Sequence, residues 1–174
     1  MFFILLVLFI IIQRIVELTI ARKNEKWMKE QGAIEYGKNH YKWMVLVHVG
    51  FFISLMIEVI VFQKKMIAIW PFLLSVFFLL QIARVWVIAS LGKFWNTKII
   101  VLPGANIVTK GPYKYIKHPN YFIVTLELLV IPIMFQAYVT ALCFLIFNQI
   151  ILSIRISAEE KALREQTNYS YQFK

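Results

Sequence analysis

Long apolar runs dominate the pattern of hydrophobic and polar positions. Five runs occur, at residues 2–20, 43–62, 66–90, 119–135 and 137–155. A helix needs about 20 apolar residues to cross a hydrocarbon core of ~30 Å, and the fourth run barely reaches that length. The pattern therefore predicts an all-α integral membrane protein with five transmembrane helices. Helical spacing continues after residue 155 with polar residues, which predicts a helical tail in the cytoplasm.

The composition agrees with a membrane protein. Of the 174 residues, 60% are hydrophobic, which is far from the composition of ordinary soluble domains. The first run is expected to stay in the protein as a transmembrane helix, because no basic segment precedes it and no small-residue cleavage site follows it. The chain has no linker or low-complexity tract, so a single domain over residues 1–174 is predicted. Cys143 is the only cysteine, which excludes an intrachain disulfide.

The basic residues are distributed unevenly between the connections. Fifteen of the 19 lie in segments 21–42 and 91–118 and in the tail from residue 155. Cytoplasmic loops of membrane proteins are enriched in Lys and Arg. We therefore predict an external amino terminus, with both basic loops and the tail on the cytoplasmic side of a multi-pass protein. The net charge of +10 then fits anionic lipid headgroups, and nucleic acid is not expected as a partner.

A first polar cluster, Lys117-His-Pro-Asn-Tyr121, stands at the start of the fourth run. Proline is favoured at the first position of a helix, which places His118 at the amino-terminal cap. The N–H groups and dipole of such an end attract anions, for instance a carboxylate. Tyr113, Tyr115 and Tyr121 offer flat surfaces for a purine ring. Basic and aromatic residues are also ordinary at membrane interfaces, and the cluster alone leaves both interpretations open.

A second polar cluster lies at the end of the fifth run, in Arg155, Glu159 and Glu160. Arg155 and Glu159 are four residues apart and so share one helix face. A polar stripe leads from them into the membrane through Asn148, Leu152, Arg155 and Glu159. A helix-end salt bridge with a snorkelling arginine is the alternative. A tight turn at Gln136 would make the last two helices a hairpin, so both clusters are predicted to emerge side by side.

Charged residues also interrupt the apolar runs. Arg14, Arg84 and Glu127 are predicted at similar depth, so Glu127 could neutralise one of the arginines. Such residues usually face the bundle interior or a cavity, and a structural pair and a substrate tunnel stay equally open for Arg14, Glu17, Arg84 and Glu127. Glu58 lies near the outer end of its run and is expected to reach the headgroups.

The histidines do not predict a metal site. His40 and His48 are eight residues apart, or ~12 Å along a helix, which is too far for shared ligation at ~2 Å. His118 has no partner at ligand spacing, so no metal is expected.

The two clusters together resemble a known family. Gly111-Pro-Tyr, Lys117-His-Pro-Asn-Tyr121 and then Arg155-x-x-x-Glu-Glu-x-x-Leu163 are similar to the cofactor signature of the isoprenylcysteine carboxyl methyltransferase family over about residues 91–171. Further segments resemble small bacterial members that accompany type III polyketide synthases and O-methylate alkylpyrones: Arg14, Glu17, Asn24, Gly32, Glu35, His40-Tyr41 and Phe94-Trp-Asn-Thr97.

The resemblance implies a membrane methyltransferase domain whose cofactor-binding half is about residues 91–174. Its cofactor would be S-adenosylmethionine, bound between the membrane hairpin and the tail, and a lipophilic substrate would enter from the bilayer. Matching positions assign cofactor contacts to Tyr113, Lys117, His118, Pro119, Tyr121, Glu159, Glu160 and Leu163. Arg155 and Glu159 match the positions where the substrate anion and the methyl donor meet, which makes them the predicted catalytic residues.

The chain departs from the family pattern at two places. Lys117 replaces the usual arginine, which keeps the charge but loses the bidentate fork. Thr167-Asn168 replace a Phe-Gly pair while Tyr171 matches, which predicts a looser cofactor lid.

The predicted reaction is in-line methyl transfer to an oxygen nucleophile. A carboxylate or an acidic enol is ionised at neutral pH, so positioning and partial exclusion of water would suffice. Arg155 would hold the oxyanion, and Glu159 would orient Arg155 or favour the sulfonium. Three alternatives stay open: an NADPH-dependent reductase of the sterol-reductase type, which shares the His-Pro-x-Tyr hairpin, a phospholipid N-methyltransferase, and a non-enzymatic scaffold. The sequence does not predict the oligomeric state.

Overall fold

The structure is a computed structural model that describes residues 1–172. The side chains of residues 39, 40, 171 and 172 are excepted. The resemblances noted at the side chains of His40 and Tyr171 therefore lie outside the part of the protein that the structure describes.

Five main helices form the fold, one for each apolar run of the sequence. They are α1 (Phe2–Glu30), α2 (Lys38–Val61), α3 (Trp70–Leu91), α4 (Pro119–Met134) and α5 (Tyr138–Gln166). Four of these, all but α4, are long and apolar enough to cross a membrane. With 16 residues, α4 is ~24 Å long and falls short of a ~30 Å hydrocarbon core. The protein is an all-α, multi-pass membrane protein, and a short helix, α6 (Tyr169–Gln172), follows.

The first basic loop is partly helical, because α1 continues beyond the apolar run without a break to Glu30. Residues 21–30 contain neither glycine nor proline, so nothing interrupts the helix before Gly32, whose φ is +89°. The prediction that the fifth helix continues past residue 155 is confirmed, because α5 ends at Gln166.

The chain divides into two compact units. The first, here called the ribbon unit, contains Met1–Lys38, Leu91–Ile107 and the residues from Ser157 onward. The second, the hairpin unit, contains Asn39–Ser90 and Val108–Ile156.

A small β-ribbon, which the sequence did not predict, gives the ribbon unit its name. Strand β1 (Ile34–Tyr36) pairs antiparallel with β2 (Ile99–Val101), with Ile34 opposite Val101. Ile99 and Val101 are buried with Ala162 of α5, and Tyr36, Ala158 and Leu163 pack around them. Side chains alternate between the faces of a strand, so one face of the ribbon covers the last turns of α5.

In the hairpin unit, a buried ion pair joins α3 to α4. Arg84 donates to Glu127 at 2.5 Å, and the Gln81 amide donates to the other carboxylate oxygen at 2.8 Å. Arg84 and Glu127 are each only 3% exposed. The prediction that Glu127 neutralises an arginine is therefore confirmed, with Arg84 as its partner. Arg14, in the ribbon unit, instead pairs with Glu17 one turn along α1, at 2.7 Å.

Glu58 does not reach the headgroups, so that expectation is wrong. The side chain is 8% exposed and accepts hydrogen bonds from the backbone N–H groups of Val139 and Thr140 and from the Thr140 hydroxyl. The first N–H groups of a helix have no partner within it. Glu58 of α2 thus caps the beginning of α5, and this contact between helices keeps its carboxylate inside the protein.

The predicted tight turn between α4 and α5 is confirmed. The two helices are separated by three residues, with Gln136 in the left-handed region at φ +57°. The Ala137 N–H donates to the Pro132 carbonyl at 2.8 Å. This bond closes the end of α4 in the manner of a helix C-cap and makes α4 and α5 an antiparallel hairpin.

Candidate functional site

The first polar cluster adopts the predicted conformation. Helix α4 begins at Pro119, and His118 is its N-cap residue without a side-chain capping bond. The carbonyl of His118 accepts the Tyr121 N–H at 3.2 Å. The imidazole is therefore not used to close the helix, and the first N–H groups of α4 lie beside it.

The preceding loop is held against α3 by a close approach at Gly111. Its φ is +58°, and a Cβ placed there would lie 2.3 Å from the Ser90 hydroxyl oxygen and 3.2 Å from the Trp86 indole nitrogen. A side chain at this position would displace the Ser90 hydroxyl, and residues other than glycine rarely adopt this φ. A short 3₁₀ turn over Gly111–Lys114 follows. The Gly-Pro-Tyr segment of the motif thus anchors the loop that leads into α4.

Tyr121 links the two predicted clusters. Its ring stacks on His118 with centroids 5.4 Å apart and an angle of 18° between the planes. Its hydroxyl oxygen accepts a hydrogen bond from Nε of Arg155 at 2.7 Å. The Arg155 guanidinium carbon lies 5.6 Å from the centroid of the same ring. His118, Tyr121 and Arg155 therefore form one contiguous group, here called the site triad.

Arg155 is buried to a degree that is unusual for arginine. Only 5% of the residue is exposed, although arginine is almost never fully buried unless it is paired. The Tyr121 bond to Nε fixes the plane of the guanidinium. A planar group of fixed orientation suits recognition of a planar oxyanion.

A second pair of residues joins α4 to α5 deeper in the hairpin unit. The Asn148 amide donates to the Thr125 hydroxyl oxygen at 3.0 Å, and that hydroxyl donates to the Tyr121 carbonyl at 2.9 Å. Asn148 is 3% exposed. The sequence singled out Asn148 but missed Thr125, whose position one turn after Tyr121 was the available signal. Two polar members of the stripe predicted on α5, Asn148 and Arg155, are thus hydrogen-bonded to residues of α4.

Asn120 provides a test of whether a cofactor fits beside the site triad. Its side-chain oxygen is buried and has no hydrogen-bond partner within residues 1–172. Leaving such an acceptor without a partner costs ~1–3 kcal/mol, which a bound ligand carrying N–H groups would recover. S-adenosylmethionine has an ammonium and an adenine amine, so the donors that Asn120 lacks are present on it. The sequence named Asn120 within the motif but assigned it no role.

The other predicted cofactor residues of the hairpin unit differ in exposure. Pro119 is buried, Tyr113 is half-buried, and Lys117 is exposed. Tyr115 is 77% exposed, with the Lys114 ammonium 5.7 Å from its ring. Tyr113 and Tyr121 are therefore better enclosed surfaces for stacking than Tyr115.

Glu159, Glu160 and Leu163 belong to the ribbon unit. Leu163 packs against the buried cluster at the β-ribbon, and Glu160 accepts a hydrogen bond from Arg164 at 2.7 Å. Burial of Tyr169, with Glu160 nearby, raises the pKa of its phenol to about 12. Leu163 therefore has a packing role that the sequence did not predict, and the cofactor roles of all three residues stay predictions.

The tail residues that replace the family's Phe-Gly pair are hydrogen-bonded to a neighbouring loop. The Asn168 side chain accepts from the Ile107 N–H at 3.0 Å and donates to Asn106 at 2.9 Å. The Thr167 hydroxyl donates to the Leu163 carbonyl at 2.6 Å. The Gly104 N–H adds a bond to the Gln166 carbonyl at 2.8 Å. Thr167 and Asn168 thus help to hold the tail in place within the ribbon unit.

Comparisons with known proteins extend the resemblance. The profile of the "Isoprenylcysteine carboxyl methyltransferase (ICMT) family" matches residues 72–165, more than half of the chain. "Uncharacterized protein YpbQ" of Bacillus subtilis is 50% identical over 161 residues, covering 92% of this chain and 96% of that protein. An "Uncharacterized protein" of Haemophilus influenzae is 33% identical over 158 residues, covering 86% of this chain and 88% of its own length. No solved structure matches the chain.

Proposed function

Since the chain belongs to the isoprenylcysteine carboxyl methyltransferase family, we propose that it is a membrane methyltransferase that moves a methyl group from S-adenosylmethionine to an acidic oxygen of a lipophilic substrate. The observation that carries this proposal is the site triad. It combines a buried guanidinium, an oriented phenol and the amino terminus of a helix in one small region.

Arg155 is the group we assign to the acceptor oxygen. A carboxylate or an acidic enol is already an anion at neutral pH, so the protein need not remove a proton from it. Guanidinium groups bind planar oxyanions through pairs of parallel hydrogen bonds. Because Tyr121 holds Nε, the guanidinium is preoriented, and less side-chain entropy is lost when it binds the nucleophilic oxygen.

The cofactor is assigned to the start of α4. S-adenosylmethionine supplies an electrophilic methyl group on a sulfonium. Tyr113, His118 and Tyr121 offer rings for its adenine, and the first N–H groups of α4 would receive its carboxylate. Asn120 would accept a hydrogen bond from one of its amines. The resemblance also assigns Lys117, Pro119, Glu159, Glu160 and Leu163 to the cofactor, and Glu159 to catalysis, and those assignments rest on the sequence.

An alkylpyrone-like enol is the acceptor that we favour over a prenylcysteine carboxylate. The support is the resemblance to small bacterial members through Phe94-Trp-Asn-Thr97. In the ribbon unit, Asn24 donates to the Trp95 carbonyl at 2.8 Å and Asn96 donates to the Ala21 carbonyl at 3.1 Å. This segment therefore fixes α1 to the loop after α3. The segment supports this choice of acceptor as a feature shared with the small bacterial members. We do not assign it a contact with the substrate.

A labelling experiment tests the proposal. Purified protein is incubated with methyl-labelled S-adenosylmethionine, a long-chain hydroxypyrone and a farnesylcysteine analogue, and label is followed into each lipid. We expect label in the hydroxypyrone. Label in the farnesylcysteine alone overturns the acceptor, label in phospholipid selects an N-methyltransferase, and label in no lipid contradicts the proposal.

Variants at two arginines assign the anion site in the same assay. Arg155→Lys keeps a charge but loses the planar fork, so we expect it to lose most turnover while binding S-adenosylhomocysteine almost normally. Arg22→Lys, at an exposed position of α1, is the matched control and should behave as the wild type. Full turnover in Arg155→Lys would remove Arg155 from the acceptor site.

A further inference from the structure

An apolar groove runs between α2 and α5 in the hairpin unit. Its volume is about 550 Å³, within the range of ~300–1,000 Å³ that is usual for small-molecule sites. All eight side chains that line it are hydrophobic: Trp43, Leu46, Val47, Phe144, Phe147, Ile150, Ile151 and Ile154. The groove can therefore hold a hydrocarbon, and the indole N–H of Trp43 is the one hydrogen-bond donor among these eight side chains.

The groove is closed at the end that is further from the site triad. Phe144 is only 9% exposed and packs edge-on against Phe51 with centroids 5.7 Å apart. Its ring also lies against Gly50, where an added Cβ would be 3.4 Å away. The Phe144 ring therefore lies close to the α2 backbone at Gly50. The contact of α2 with α5 at Phe144 thus forms a blind end.

The other end of the groove lies beside Arg155. Ile151 lines the groove and precedes Arg155 by four residues on α5, so the two side chains are neighbours on one helix face. Ile154, the last lining residue, precedes Arg155 directly. From Phe144 to Ile154 the helix rises ~15 Å. This equals half of a ~30 Å hydrocarbon core, or the length of one acyl chain in a leaflet.

We propose that this groove binds the alkyl tail of the methyl acceptor, with the acidic oxygen held at Arg155. The proposal rests on the function proposed above and adds the place and the length limit of the tail. Two features select an amphiphilic anion over a bulk phospholipid. Its volume of about 550 Å³ is that of a site for one small molecule, and its lining residues on α5 end directly before the buried Arg155. A phospholipid carries two tails and a large headgroup, which the blind groove and the buried arginine do not accommodate together.

Filling the groove should change tail selectivity and leave the chemistry intact. Ile151→Trp places an indole one turn from Arg155, and Leu142→Trp puts the same side chain at a 61% exposed position of α5 outside the groove. Methyl transfer is measured to a hydroxypyrone with a long alkyl tail and to its methyl-substituted counterpart. For Ile151→Trp we expect KM for the long-tailed acceptor to rise at least tenfold, with the short acceptor unchanged. Leu142→Trp should resemble the wild type for both.

Loss of turnover on both acceptors in Ile151→Trp, or no change on either, would overturn the groove assignment. A wild-type protein that methylates neither acceptor would instead count against the proposed function. The groove is then decided by a second readout that needs no turnover.

In that readout, a long-chain hydroxypyrone with a photoreactive group at the end of its tail is cross-linked to the wild-type protein in detergent. We expect the label near Phe144 and Phe51, its loss in Ile151→Trp and its persistence in Leu142→Trp and in excess phospholipid. A label spread over the exposed faces of all helices, or one abolished by phospholipid, would show that the groove holds only bulk lipid.

Discussion

Tyr121 is the residue on which the two halves of the candidate site depend. Its ring stacks on His118, and its hydroxyl binds Arg155. The sequence predicted the members of this group because each stands in a motif at the end of an apolar run. It could not predict the Tyr121–Arg155 bond, because that contact joins residues 34 positions apart and depends on the register of two helices.

Tyr121→Phe separates the two roles of that residue. The ring is kept, so affinity for S-adenosylhomocysteine should change less than threefold. The buried Arg155 loses an acceptor, and a cost of ~1–3 kcal/mol in the orientation of the guanidinium should lower kcat about tenfold or more. Calorimetry and the methyl-transfer assay measure the two quantities. Tyr138→Phe, at an exposed tyrosine of α5, is the control. An equal fall of kcat in both variants would show that the Tyr121 hydroxyl does not orient Arg155.

His118→Ala tests the cofactor side of the site triad. Loss of the imidazole removes the stacking partner of Tyr121 at the start of α4, and we expect at least tenfold weaker binding of S-adenosylhomocysteine, or ~1.4 kcal/mol. His48→Ala, on α2, is the control because the His48 ring is hydrogen-bonded to the Met44 carbonyl of its own helix. Unchanged affinity in a folded His118→Ala protein would reduce His118 to an interfacial residue.

At the scale of elements, α4 is a short helix that its neighbours hold from both sides. Arg84 and Gln81 of α3 bind Glu127, while Asn148 and Arg155 of α5 bind Thr125 and Tyr121. Periodicity predicted these helices and the turn at Gln136. It did not predict the capping of α5 by Glu58 or the packing of Leu163, since both depend on contacts between elements that are distant in sequence.

The Thr125–Asn148 pair should position Tyr121 against Arg155. Thr125→Val keeps the shape but leaves the buried Asn148 amide without its acceptor, and we expect kcat to fall severalfold with little change in cofactor affinity. Thr125→Ser restores the hydroxyl and should restore most of the turnover, a rescue that loss of packing alone would not show. If Thr125→Ser is as impaired as Thr125→Val, the hydroxyl does not position the site.

At the scale of the whole molecule, composition alone indicated a multi-pass membrane protein, and the helices confirm it. The β-ribbon escaped prediction because each strand has only three residues and lies within a basic loop, where no period of two can be recognised. The short α4 matches an apolar run that was barely long enough to span a bilayer.

The charge distribution still predicts the orientation in the membrane, with residue 38 in the cytoplasm and residue 64 outside. The test uses single cysteines at Lys38 and Lys64 in a Cys143→Ala background and a thiol reagent that does not cross membranes. Lys64→Cys should react in intact cells, and Lys38→Cys only after lysis. A Lys38→Cys protein that reacts from outside would reverse the orientation and move the site to the other face.

The central claim, a methyltransferase site at the start of α4, is tested most directly by calorimetric titration of the detergent-purified protein with S-adenosylhomocysteine and, separately, with NADPH. We expect saturable binding of S-adenosylhomocysteine near one equivalent and no saturation with NADPH. Saturation by NADPH without binding of S-adenosylhomocysteine would contradict the claim and identify a reductase.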